Sequence, residues 1–423
     1  MKNKIKSAVF LLALLVCTTA LFTTCEENYT GKYEITDGTP TIYFVRPTNA
    51  ANKDSLLTGA PLGETICIVG DNLTSVQELY FNDRMAFLNI NFITKNTLIV
   101  TVPSELPGET TNKIYFVNKA GVKTEYDFTV LMPVPLIRRI VCEHVPEGGN
   151  VVLSGDYFFD DDPENFPVQV RVGTYVIPSG DIIDIQKTSL TFKAPPADIT
   201  GQIQITTMYG TGLKSQQIFR DLRGLITGFE EGQFNEGGWG RPTPAQLQED
   251  PEFVLMGRYL RFEGTLTGGG DGFDGNQGYN AGMIANLWSS SNSNLSDPLF
   301  SSDPLTSILK FEAYVVTPWS ASPLIVMFDA AGTDESWCWA DENGPRGFWV
   351  PWLATGSYVG AGWETVSIPL ADCKYSGNGT DIGASKAFGQ LGIAVHNRGM
   401  ATYAGTACSP VILIDNIRVI PGE

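Results

Sequence analysis

The chain has 423 residues, 43% hydrophobic and 17% charged, with 44 glycines, 25 prolines and a formal net charge of −18. That length allows two to four domains. The acidic balance excludes nucleic acid as a natural partner, because phosphate binding needs clustered Lys and Arg; a neutral ligand tolerates it.

Lys2, Lys4 and Lys6 precede an apolar run over residues 8–22. The run is too short to read as a spanning helix, so residues 1–24 are expected to be an export signal. Cys25 follows Phe22-Thr23-Thr24 and precedes Glu26 and Glu27. This arrangement resembles a bacterial lipobox, with Phe22 a departure from the usual Leu-like residue. The acidic start resembles the surface-export signal of lipoproteins in the Bacteroidota. The resemblance implies a lipid on Cys25 and an outer-membrane location facing the cell exterior. The ordinary alternative is a cleaved signal with a stray cysteine. Residues 25–39 are polar and read as a flexible tether.

From there the pattern has period two almost throughout, which predicts strands. Residues 40–131 and 132–221 look like copies of one unit. Each has a strand ending in a Gly turn (Val69-Gly70-Asp71-Asn72-Leu73; Ser154-Gly155-Asp156-Tyr157-Phe158) and a strand ending in Pro (Val100-Thr101-Val102-Pro103; Phe192-Lys193-Ala194-Pro195). About ninety residues of short strands per copy point to a small β-sandwich. The motifs resemble IPT/TIG immunoglobulin-like domains. Met132-Pro133-Val134-Pro135 joins the copies, and its two prolines predict a stiff linker.

Residues 222–423 hold all eight tryptophans. Leu309, Phe311, Ala313 and Val315 alternate with Lys310, Glu312 and Tyr314, and the run 411–420, apolar on both faces for much of its length, predicts a central strand. The expected fold is therefore all-β: two tandem immunoglobulin-like (IPT/TIG) sandwiches, then a larger jelly-roll-like sandwich. Cys338, Cys373 and Cys408 share this last region, where a disulfide or buried thiols are equally good readings.

A flat aromatic ring covers the C–H face of a sugar while polar neighbours bond its hydroxyls. Eight tryptophans in one domain therefore suggest a platform, although some must be core. Trp288, Trp319, Trp349 and Trp352 lie in loops or at strand ends and are the first candidates. Trp337, Tyr279 and Tyr358 are added to them. Trp363 reads as packing.

Domain order, the strand Trp363-Glu364-Thr365-Val366-Ser367-Ile368-Pro369-Leu370 and the closing Asp415-Asn416-Ile417-Arg418-Val419 resemble the surface glycan-binding protein B family. That resemblance implies capture of a polysaccharide or oligosaccharide, for example a plant-type β-glucan such as xyloglucan or mixed-linkage glucan, beside a SusC/SusD-like importer. It implies no catalysis. Glu230 and Asp415 resemble positions that hold structural Ca²⁺ in jelly-roll carbohydrate modules; a surface Glu and a turn Asp is the plainer reading, and no other cofactor is called for. The alternatives are an adhesin binding a protein partner, or a glycan-active enzyme, although the β-glucanase pattern Glu-x-Asp-x-x-Glu fails at Glu125-Tyr126-Asp127, where Val130 stands in place of the last Glu.

Overall fold

A computed structural model describes residues 35–52, 54–233, 242–253, 255–268, 283–288, 304–328, 344–376, 380–384, 388, 391–396 and 403–422. The described elements are strands with a few 3-10 turns, and they form β-sandwiches, as the period-two pattern predicts. The chain divides into two compact units that part between Pro133 and Val134, inside the proline linker.

In the first unit, Thr41–Pro47, Thr65–Asp71 and Thr97–Thr101 form one sheet, and Arg84–Met85, Val76–Phe81, Lys113–Asn118 and Lys123–Asp127 form the other. Gly59–Pro61 and Thr129–Leu131 add a short parallel pair. Alternate residues such as Ile66, Ile68, Val100, Leu79, Ile114 and Phe116 meet in the core. Gly70 is required here, since a Cβ would lie 2.0 Å from the Thr41 carbonyl oxygen across the strand pair.

The second unit begins with the repeat of that plan. Leu136–Ile140, Asn150–Asp156, Ser189–Lys193 and Ile182–Gln186 face Tyr175–Val176, Gln169–Val172, Gly201–Thr207 and Gly210–Thr211. The larger sandwich follows. Its first sheet runs Leu247–Gln248, Tyr259–Glu263, Val411–Pro421, Ser307–Val315, Glu364–Pro369. Its second runs Ile284–Trp288, Leu391–Val395, Leu324–Phe328, Arg346–Trp349. Val411–Pro421 is central, hydrogen-bonded to Tyr259–Glu263 on one side and Ser307–Val315 on the other.

The two sandwiches of this unit are welded together. Leu309, Phe311, Ala313 and Val315 point into the larger core. Their alternating neighbours Lys310 and Glu312 are also buried, as is Arg418. The preceding sandwich covers that face. Arg418 donates to Glu312 Oε2 at 2.8 Å and to Glu143 Oε2 at 2.7 Å, and Lys310 meets Glu143 Oε1 at 2.9 Å. Thr365 donates its hydroxyl to Glu312 and receives the Glu143 backbone N–H. Leu255 packs into the core of the preceding sandwich, with Trp363 against it.

Beside this network His144 is 1% exposed, and its Nε2 donates to the Asp221 carbonyl at 3.1 Å. Burial, helped by the Arg418 charge, pushes its pKa from 6.5 down to about 3. The folded state therefore holds it neutral while the unfolded chain takes up a proton below pH 6.5. Its contribution is intact above that pH and is lost as pH falls toward 3, by up to about 1.4 kcal/mol per unit. Urea unfolding across this range should show wild type losing more stability than His144→Gln. Parallel losses would mean that the buried ring is protonated without cost.

Candidate functional site

The second sheet of the larger sandwich has two apolar faces. In Leu324–Phe328 the residues Leu324, Val326 and Phe328 enter the main core, while Ile325 and Met327 point away from it. Ile284 and Ala394 join them on the outer face, and Phe348 and Tyr403 pack on top. Strand alternation places Phe348 outward and its neighbour Trp349 toward the core.

Phe348 and Tyr375 stack at 5.0 Å with an interplanar angle of 19°. Tyr403 meets Phe348 edge-on at 5.4 Å. Backbone bridges from Tyr375 to Arg346 and to Asp381 hold its segment against the sheet edge. Next to these rings is a cleft of about 420 Å³, walled also by Leu353, Ser367, Asp372 and Lys374. Lys374 lies 3.5 Å from Asp381, whose carboxyl is held below its ordinary range by the Gly383 N–H and, less, by Lys374. Burial pushes the Tyr403 phenol up, so it stays a neutral donor at physiological pH. Half-buried rings bordered by a hydroxyl, an ammonium and a carboxylate suit a neutral polyol with an apolar face.

The tryptophans expected to form the platform behave differently. Trp319 is completely buried in the main core and donates Nε1–H to the Ala321 carbonyl at 2.7 Å. Trp352 is 4% exposed and donates to the Ser322 carbonyl. Neither ring presents a face to a ligand, which corrects the expectation for both. Their turns fold back under the sheet, where each indole N–H finds a backbone oxygen.

Trp349 is half-buried, 5.5 Å from Trp319 and 6.5 Å from Tyr358. It borders a second cleft of about 460 Å³ below Arg138 and Arg139. Tyr358 is also half-buried, with its hydroxyl on Glu364, and Glu364 pairs with Arg139 at 2.9 Å. The structure thus gathers Trp319, Trp349 and Tyr358, but as a packing cluster. Trp363 packs as expected, between Tyr259 and Tyr314, with its N–H on the Phe253 carbonyl.

The Trp288 side chain, Tyr279, Trp337 and Cys25 lie outside the described residues, as does Cys338. Cys373 and Cys408 are free thiols. Sequence reasoning missed Phe348, Tyr375 and Tyr403; the aromatic Phe348 beside Trp349 on a strand was the one available signal.

Asp415 is fully buried, and its Oδ2 has no hydrogen-bond partner. Burial pushes its carboxyl well above the usual range. A Cβ on Gly228 would lie 3.2 Å from Asn416 Oδ1 and 3.9 Å from Asp415 Oδ1, so oxygens converge there. Glu230 is close enough to raise Asp415 further, and itself accepts the Arg258 N–H. Either a proton or a hard cation must compensate this carboxylate. The donors fit Ca²⁺, which Asp415, Glu230 and the Asn416 amide oxygen would hold. Among the described residues no group of three or more His, Cys, Asp or Glu gathers for a metal.

Two small sandwiches precede a larger one whose outer face carries the stacked Phe348–Tyr375 pair, a build shared by many carbohydrate-binding modules. Residues 219–421 match the family model described as the surface glycan-binding protein B xyloglucan binding domain. The crystal structure of surface glycan-binding protein PbSGBP-B from Prevotella bryantii is 30% identical, covers 92% of this chain and 100% of that one, and superposes with a TM-score of 0.72. An IPT/TIG domain-containing protein of Bacteroides ovatus is 30% identical over 158 residues, 36% of this chain. The chain spans only 31% of that relative's length. The chain belongs to the surface glycan-binding protein B family.

Proposed function

We propose that this protein is an outer-membrane lipoprotein, anchored through Cys25, that captures a plant-type β-glucan at the cell exterior and makes or breaks no bond. The observation that carries the reading is the stacked Phe348–Tyr375 pair beside a cleft with a polar rim. It lies in the segment matching a xyloglucan-binding family model, which favours xyloglucan or a mixed-linkage glucan as ligand. Trp288, Tyr279 and Trp337 are candidates for the same platform. A SusC/SusD-like importer would receive the captured chain. Catalysis has little support: Glu143 and Glu312 share Arg418 and are sealed from solvent, whereas a glycosidase needs two carboxylates in an open cleft.

Stacking one ring on a sugar contributes about 1.5–3 kcal/mol before ordering costs. Tyr375→Ala and Phe348→Ala should therefore weaken binding about tenfold or more in calorimetric titrations with xyloglucan oligosaccharides. Trp349→Ala should bind within a factor of about three of wild type. If Tyr375→Ala and Phe348→Ala bind normally while Trp349→Ala does not, the glycan lies in the cleft below Arg138 and Arg139.

A further inference from the structure

The aromatic cleft does not stand alone. Ser367 is exposed, and it walls both that cleft and the one below Arg138 and Arg139. Glu364 and Thr365 wall the second cleft, while Ile368 and Pro369 wall the first. The two clefts therefore follow one strand, Glu364–Pro369, end to end, a run of about 17 Å at the usual strand rise. The neighbouring segment agrees, since Phe348 and Val350 border the first cleft and Trp349, between them, borders the second.

The second cleft takes its walls from two sandwiches. The preceding sandwich supplies the arginines through a β-bulge. Ile137 pairs with Gly155 and Arg139 with Ser154, so Arg138 is the extra residue. Ile137 and Ile140 both enter the core, which leaves Arg138 and Arg139 side by side on the outward face. The fold asks for the bulge and not for the arginines: the first unit has the same bulge, between Ile42 and Phe44, and carries Tyr43 and Phe44 there.

Arg139 donates through Nη2 to Glu364 Oε2 at 2.9 Å and to the Thr365 carbonyl at 3.1 Å, which fixes the wall across the junction. Arg138 donates to Asp156 through Nε. Among the described residues nothing engages the terminal nitrogens of Arg138 or Nη1 of Arg139. The two side chains are 65% and 44% exposed. Exposed ion pairs add little stability, so folding does not account for two arginines here. Guanidinium N–H groups beside a carboxylate offer donors and an acceptor to sugar hydroxyls. Trp349 is committed to Phe311, Trp319 and Tyr358, so it closes the cleft without stacking on a ligand.

We propose that a bound glycan runs on from the Phe348–Tyr375 cleft, past Ser367, into the cleft between the sandwiches, where Arg138 and Arg139 hold its hydroxyls. The immunoglobulin-like sandwich is then part of the binding surface and makes the protein prefer long chains to short ones. The inference rests on the Phe348–Tyr375 reading.

The test is calorimetric titration of the full chain with a single-repeat xyloglucan oligosaccharide and with a multi-repeat one. Wild type should bind the longer ligand about tenfold more tightly, and Arg138→Ala should lose that gain while binding the single-repeat ligand within a factor of about two of wild type. Urea unfolding checks that the variant is folded, and a purely structural role for Arg138 would not separate the two ligands. Single-repeat binding that needs Tyr375, with Arg138→Ala matching wild type on the longer ligand, overturns the inference and leaves the aromatic platform standing. If Tyr375→Ala binds both ligands as wild type does, the platform reading fails and the inference falls with it.

Discussion

Arg418→Met should cost the second unit about 3–5 kcal/mol, the range seen when one partner of a buried ion pair is removed. Arg418 is 0% exposed, and so are both carboxylates it serves, Glu143 and Glu312. Burial alone would pull the guanidinium pKa down, but Glu312 and Glu143 more than reverse this and hold it above its ordinary value. With Arg418 and Lys310 present the four charges cancel. Without Arg418 two carboxylates compete for one ammonium in a site closed to water. Methionine fills the volume, so the loss reports charge more than cavity. Urea unfolding at neutral pH measures it. A loss below about 1 kcal/mol would show that water reaches the carboxylates. Replacing all four charged residues by apolar ones of similar size should be far milder than the single change.

Trp319→Ala should also cost about 3–5 kcal/mol, the usual result of emptying an aromatic core site. The ring touches Trp349 edge-on and its N–H satisfies a buried carbonyl, so truncation leaves both a void and an unpaired Ala321 oxygen. Under conditions where the variant is folded, it should bind glycan as wild type does. Chemical denaturation combined with calorimetric titration separates the two effects. Intact stability with lost binding would return Trp319 to the ligand surface.

The sandwiches were legible because strands announce themselves locally. Leu309, Phe311, Ala313 and Val315 recur at period two, and the closing run 411–420 is apolar on both sides, as a central strand must be. The proposed platform was not, because ring exposure depends on which face of a sheet is covered. Phe348 and Trp349 are adjacent in one strand and point oppositely, and both faces of Leu324–Phe328 are apolar, so the pattern carries no label for the outer one. Tyr375 and Tyr403 come from connecting segments with no period at all. The burial of Lys310 and Glu312 was hidden in a related way: alternating charge ordinarily marks a solvent face, but here the preceding sandwich supplies Glu143 to close over it.

Mechanically, the buried ion cluster makes one lever of two sandwiches. A long polymer held at the outer sheet, as proposed, would pull sideways on whatever grips it. Among the described residues Arg418, Lys310 and Thr365 tie the larger sandwich to Glu143 of its neighbour, so a pull on one is carried by the other. Under load the two sandwiches of this unit turn as one body, and the outer sheet keeps its shape.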